Sequence, residues 1–162
     1  MKRLIYSELL RWKNNSKHPP LLLRGARQVG KTYIVDQLGN NEFDSFININ
    51  FEVQPKYKEC FSELEPDRIL LKLRAALRVN IVAGRSLLFL DEIQLCPQAI
   101  VALRYFKEKM PDLHVIAAGS LLEFIIADEK YQMPVGRVRS IHMTPVSFKE
   151  FLIINDFHAA NE

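Results

Sequence analysis

Residues 25–32 read Gly-Ala-Arg-Gln-Val-Gly-Lys-Thr and match the pattern G-x-x-x-x-G-K-[ST] of a phosphate-binding loop. The flanks agree with the pattern, because residues 21–23 form an apolar run typical of a buried strand and residues 33–38 can continue as a helix that ends near Gly39. Strand, glycine loop and helix in this order are the setting in which the motif binds phosphate. A chance glycine turn before a helix is the weaker alternative.

Each residue type in the loop suits an anionic ligand. Gly25 and Gly30 lack a Cβ, so the backbone can approach an anion closely. The loop N–H groups and the N-terminus of the next helix then face the phosphate oxygens. Lys31 is predicted to reach the β- and γ-phosphates, and Thr32 to offer its hydroxyl to Mg²⁺. The predicted phosphate-binding residues are Gly25, Ala26, Arg27, Gln28, Val29, Gly30, Lys31 and Thr32.

Length and composition are those of one compact domain. The chain has 162 residues, of which 48% are hydrophobic, and a net charge of +3 that does not by itself indicate a nucleic-acid partner. Two cysteines without a CxxC pair favour a reducing compartment, and no apolar run is long enough to cross a membrane. We expect a cytoplasmic protein with a single domain over residues 1–162, which begins with a helix and connector at 1–19.

Helices and strands alternate along the chain. Strands are predicted at 21–23, 46–51, 87–90, 114–118 and 137–143, and helices at 4–13, after the phosphate loop, at 67–79, after Pro97, from about Leu121 and at 148–153. This alternation favours an α/β fold of three layers, in which helices cover both faces of a mostly parallel, five-stranded sheet. Ligands of such sheets bind at the carboxyl ends of the strands.

A second motif, Leu87-Leu88-Phe89-Leu90-Asp91-Glu92, places two carboxylates at the end of a buried strand. Asp91 suits Mg²⁺, which prefers hard oxygen ligands, and Glu92 is placed to orient or deprotonate an attacking water. The motif is weak alone, because many strands end in an acidic turn, but it gains weight downstream of a phosphate loop. An adjacent glutamate is typical of P-loop ATPases with an added strand between the loop strand and the acidic strand, and the strand at 46–51 is compatible with that arrangement.

Two further polar side chains have both a functional and a structural interpretation. Ser120 follows the strand at 114–118 and could contact the attacking water or the γ-phosphate, or it could cap the next helix together with Glu123. Arg137 follows Gly136, and a guanidinium there could stabilise charge on the transferring phosphoryl group. An ordinary basic strand is the more frequent alternative for Arg137. The candidate catalytic residues are Glu92, Lys31, Ser120 and Arg137.

Together, the strings LLLRGARQVGKT, FININFE, LLFLDEIQ, PDLHVIAAGSLLEF, PVGRV and TPVSFKEFL resemble the prokaryotic AAA-type ATPases in which an ATP-binding domain precedes a C-terminal domain of unknown function, often described as nuclease-like. The resemblance covers nearly the whole chain. It implies a magnesium-dependent ATPase that binds ATP and ADP, with Asp91 at the metal, Glu92 at the water, Ser120 at the sensor position and Arg137 in a Gly-Arg motif. Chains of that family extend far beyond residue 162, so we expect this chain to lack a C-terminal effector domain, and a homo-oligomer is compatible with the resemblance.

Two functional classes remain open from the sequence. In the first, the protein hydrolyses ATP and drives or gates the effector domain. In the second, it is a nucleotide-gated switch without hydrolysis, but a pure binding module does not need Glu92. A small-molecule kinase is a weaker third interpretation, because it needs an acceptor site and an arginine-bearing lid.

Overall fold

The computed structural model describes residues 4–120, 122, 125 and 136–154. The strands are β1 Leu21–Arg24, β2 Ser45–Asn50, β3 Ser86–Asp91, β4 His114–Ala118 and β5 Arg139–His142, and the helices are α1 Leu4–Asn14, α2 Lys31–Glu42, α3 Pro66–Leu77, α4 Pro97–Lys109 and α5 Phe148–Ile154. Short 3₁₀ helices at Pro55–Phe61 and Ile93–Leu95 were not predicted. Among the residues described, no helix has both the length and the apolar character needed to span a bilayer.

The strands of the described residues form one parallel sheet in the order β2-β3-β4-β1-β5. This confirms the predicted α/β fold with a parallel, five-stranded sheet. The strand that lies between the loop strand β1 and the acidic strand β3 is β4, however, and β2 lies at the edge of the sheet beyond β3. Order along the chain therefore did not indicate which strand separates the two motifs.

Two apolar clusters, one on each face of the sheet, form the core. On one face, side chains of α1 and α2, such as Trp12 and Ile34, pack with Leu21 and Phe89. On the other face, side chains of α3 and α4 pack with the opposite side of the same strands. Every residue of β3 and β4 is buried, as expected of central strands covered on both faces.

Several element ends differ from the prediction for local physical reasons. Helix α2 does not stop at Gly39 but continues to Glu42. Gly39 lies inside the helix, where it packs against the ring of Phe46, which a Cβ would overlap. Helix α3 ends at Leu77, where Arg78 takes a left-handed conformation with φ 53°. The helix predicted from about Leu121 lies mostly outside the described residues.

A cluster of aromatic rings ties α1 to the amino end of β4. The rings of His18 and His114 stack with centroids 3.7 Å apart, and both meet the edge or face of Trp12. Trp12 Nε1 donates to the carbonyl of Pro19 at 2.6 Å, and His114 Nε2 lies 2.9 Å from the carbonyl of Lys13. Burial lowers the pKa of His18 to about 4 and also lowers the pKa of His114.

We predict that His18 and His114 contribute a decrease in the free energy of unfolding as the pH is lowered from about 6.5 toward 4. In this window the unfolded chain takes up protons on both histidines, whose ordinary pKa is 6.5, while the folded protein resists protonation. The stabilising contribution of the two histidines is therefore full above this window and is lost as the pH falls. Urea denaturation at several pH values measures the trend.

The variant His18→Gln should flatten the pH trend, whereas His142→Gln, which changes an exposed histidine, should leave it unchanged. The same slope in the wild-type protein and in His18→Gln would contradict a contribution from His18.

Candidate functional site

The carboxyl ends of three neighbouring strands bring the sequence motifs together. The glycine loop follows β1, Asp91 ends β3, and Gly119 and Ser120 follow β4. Because β4 lies between β1 and β3 and all three strands are parallel, these segments share one edge of the sheet. Side chains that are distant in sequence can therefore act on one ligand.

The loop has a backbone conformation that depends on its two glycines. Gly25 has φ +140° and Gly30 has φ +88°, values that side-chain-bearing residues rarely adopt. A Cβ at Gly25 would also overlap the carbonyl oxygen of Met143, whose N–H donates to the carbonyl of Arg24 at 2.8 Å. The chain that follows β5 therefore packs directly against the start of the loop, which the sequence did not indicate.

Lys31 lies beneath the loop with its ammonium among carbonyl oxygens. Its Nζ donates to the carbonyl of Gly25 at 2.8 Å and to the carbonyl of Ala26 at 2.7 Å, and the residue is only 7% exposed. Burial lowers the pKa of Lys31, while the nearby carboxylates of Glu92 and Asp91 act in the opposite direction. The ammonium group of Lys31 therefore lies against the loop for which the motif predicts phosphate binding.

Thr32 and Asp91, which are 59 positions apart in the chain, meet at the end of β3. Thr32 Oγ1 donates to Asp91 Oδ2 at 2.8 Å, and the N–H of Glu92 donates to Asp91 Oδ1 at 3.0 Å. Asp91 is 2% exposed, and this burial raises the pKa of its carboxyl group. A hydroxyl and a carboxylate are hard oxygen donors, so the pair has the chemistry that Mg²⁺ prefers.

Asn50 is a member of this site that sequence reasoning missed. It ends β2 directly opposite Asp91, and its Nδ2 donates to Asp91 Oδ2 at 3.5 Å. Its own Oδ1 accepts the N–H groups of Glu52 and Val53, which holds the side chain in place. The available signal was a polar residue next to the last position of the strand predicted at 46–51.

Glu92 lies in the same cleft as Lys31 and Thr32. Its backbone is left-handed, with φ +51°, and its Oε2 accepts a hydrogen bond of 2.5 Å from Gln94 Nε2. The residues that line this cleft are Arg27, Gln28, Gly30, Lys31, Thr32, Tyr33, Glu52 and Glu92. Tyr33 and Glu52 were not among the predicted site residues.

Ser120 adjoins the start of the loop. It lines a second cavity together with Gly25 and Ala26, and its Oγ is buried without a hydrogen-bond partner among the described residues. Glu123, the partner expected for a helix cap, lies outside those residues. The predicted roles of Ser120 therefore stay predictions, but its position beside the loop suits the first of them.

Arg137 lies far from the loop within the same chain. It precedes β5, which runs parallel to β1. Arg137 therefore lies near the amino ends of the strands, whereas the loop lies at their carboxyl ends. Its Nε is 2.8 Å from Glu108 Oε1, near the end of α4. Within its own chain, the direction of β5 places Arg137 at the opposite ends of the strands from the phosphate loop, and its predicted catalytic role stays a prediction.

Comparisons with known proteins agree with the α/β fold of the chain. A model of a family described as AAA domain matches residues 17–152. The fold is similar to that of the Walker-type ATPase PABY2304 of Pyrococcus abyssi, with a TM-score of 0.58 and 19% identity, over 94% of this chain and 57% of that one. It is also similar to PCH-2 of C. elegans, with a TM-score of 0.54 and 14% identity, over 90% of this chain and 42% of that one. A search of curated proteins found no match.

At these identities the two solved structures bear on the fold alone. This chain spans less than two thirds of the length of either of them.

We predict that Gly25→Ala lowers the free energy of unfolding by about 2–4 kcal/mol, because it combines an unfavourable φ with a clash against the carbonyl of Met143. The matched control is Gly84→Ala, which also has a positive φ of +83° but no atom within 4 Å of the new Cβ. The control should cost only about 1–2 kcal/mol. Chemical denaturation measures both values, and equal losses would show that the packing against Met143 contributes nothing.

Proposed function

The chain belongs to the AAA domain family, and from this premise we propose that it binds ATP with Mg²⁺ in the cleft beside the glycine loop and hydrolyses it to ADP and phosphate. The family match confirms the resemblance to an AAA-type P-loop ATPase domain that the sequence indicated. The observation that carries the proposal is the hydrogen bond of 2.8 Å between Thr32 and Asp91. It joins the phosphate loop to the acidic strand beside Lys31 and Glu92.

The N–H groups of the loop and the ammonium group of Lys31 would bind the phosphates. The first turn of α2 has N–H groups without intrahelical acceptors, and the helix dipole adds positive potential there. Lys31 now donates to two neutral carbonyls. Phosphate oxygens carry negative charge, and hydrogen bonds to a charged acceptor are stronger than those to a neutral one. A triphosphate can therefore draw the ammonium away from the carbonyls of Gly25 and Ala26.

Thr32 and Asp91 would hold Mg²⁺, and Asn50 would orient the carboxylate through its amide. When bound, the ion neutralises charge on the β- and γ-phosphate oxygens. The proposal explains why a carboxylate is only 2% exposed with neutral hydrogen-bond donors around it. A buried negative charge is costly unless a cation compensates it.

Glu92 would act on the attacking water. One carboxylate oxygen accepts the hydrogen bond of Gln94, which leaves the other oxygen able to accept a proton. The water oxygen forms a bond to the γ-phosphorus while the bond to the β–γ bridging oxygen breaks, and ADP leaves with that oxygen. The proton from the water passes to Glu92 and then to solvent.

Lys31→Ala should weaken the binding of ATP by about 10- to 100-fold, because it removes charge-assisted hydrogen bonds to the phosphates. Isothermal titration with ATP and ADP, with and without Mg²⁺, measures the effect. Lys17→Ala is the control, since Lys17 is an exposed lysine of the connector before β1. Unchanged affinity in a folded Lys31→Ala protein would contradict the assignment of the loop.

Glu92→Gln should reduce phosphate release by about 100- to 10,000-fold while ATP binding is retained, because an amide cannot take the proton. Glu59→Gln is the matched control, since it makes the same change at an exposed glutamate outside the residues that line the cleft, and it should leave phosphate release unchanged. Tight ATP binding without turnover in the wild-type protein would argue against hydrolysis and for a nucleotide-gated switch.

A further inference from the structure

Gln94 contacts the carboxylate that we propose as the base for ATP hydrolysis. Its Nε2 donates to Glu92 Oε2 at 2.5 Å, so the side chain of Gln94 is hydrogen-bonded to the proposed base. Both side chains are partly buried. A donor on one oxygen of a carboxylate restricts the rotation of the whole group, so this contact defines where the second oxygen points.

The backbone between the two residues brings their side chains together. Glu92 is left-handed, and its carbonyl accepts the N–H of Leu95 at 3.0 Å, which closes the short 3₁₀ helix Ile93–Leu95. The N–H of Glu92 is itself held by Asp91 Oδ1. The turn is therefore anchored to the end of β3, and the side chain of Gln94 folds back over Glu92.

The opposite end of the Gln94 amide lies against the end of β4. A Cβ at Gly119 would overlap Gln94 Oε1, so the absence of a side chain at this position makes room for the amide. Gln94 Oε1 is buried and has no hydrogen-bond partner among the described residues. A buried acceptor without a donor costs stability, and native proteins keep few such groups unless they have a function.

We propose that Gln94 is a positioning residue for Glu92, and that the notch at Gly119 holds Gln94 in place. The side-chain amide links the ends of β3 and β4 and directs the free oxygen of Glu92 toward the cleft that contains Lys31 and Thr32. Gln94 does not touch the nucleotide in this role. The catalytic part of the inference rests on the proposed hydrolysis of ATP by this site.

The test is Gln94→Leu, which keeps a side chain of similar size and removes the hydrogen bond to Glu92. We expect kcat for phosphate release to fall by about 10- to 100-fold, since small misplacements of a catalytic group have effects of this size. The Kd for ATP should stay within about twofold, because the loop and Lys31 are unchanged. Gln98→Leu makes the same change on the exposed face of α4 and should alter neither value.

An unchanged or increased kcat in Gln94→Leu would overturn the proposal. A merely structural role would lower the melting temperature without separating kcat from the Kd for ATP. Gly119→Ala tests the notch separately. Its new Cβ should displace the side-chain amide of Gln94 and therefore also lower kcat.

A second measurement does not depend on turnover. The ¹H–¹⁵N signals of the Gln94 side-chain amide should show protection from exchange that Glu92→Ala removes and Lys17→Ala leaves intact. If the wild-type protein binds ATP without hydrolysing it, the proposed hydrolysis fails, and these signals still decide whether Gln94 holds Glu92. Signals that do not respond to Glu92→Ala would overturn the contact itself.

Discussion

The hydrogen bond between Thr32 and Asp91 is the contact on which the site depends. It connects the first turn of α2 to the last residue of β3 across the intervening strand β4. Asp91 is buried, and the donors around it are neutral, so its negative charge favours a cation at this point. The parallel direction of the strands makes the contact possible, because it brings both chain segments to the same edge of the sheet.

The charged side chains of the cleft form hydrogen bonds to neutral groups and not to one another. Lys31 donates to loop carbonyls, while Glu92 accepts from Gln94 and Asp91 accepts from Thr32. Each charged group is therefore oriented by neutral partners that a charged ligand can displace. Such a cleft suits a polyphosphate with its metal ion, since the ligand supplies negative charge beside Lys31 and positive charge beside Asp91.

Sequence patterns predicted the parts of the site that depend on short-range order. The glycine loop, the buried strand before Asp91 and the alternation of helices and strands were each readable within a few residues. Asn50, Gln94 and Met143 were not readable in this way. Asn50 reaches the site through its register with Asp91, and Met143 through the pairing of β5 with β1. Gln94 reaches it through an unpredicted 3₁₀ turn.

The sequence alone determined the fold class and the chemical identity of the loop, because glycine spacing and apolar periodicity act locally on the backbone. The tertiary structure decided which strand separates the two motifs. It also decided whether each polar side chain lies at the amino or at the carboxyl ends of the strands. Arg137 illustrates the difference, since its Gly-Arg context suggested the phosphates while the direction of β5 placed it beside Glu108. Strand order and direction arise from the packing of the whole sheet, so no short stretch of residues encodes them.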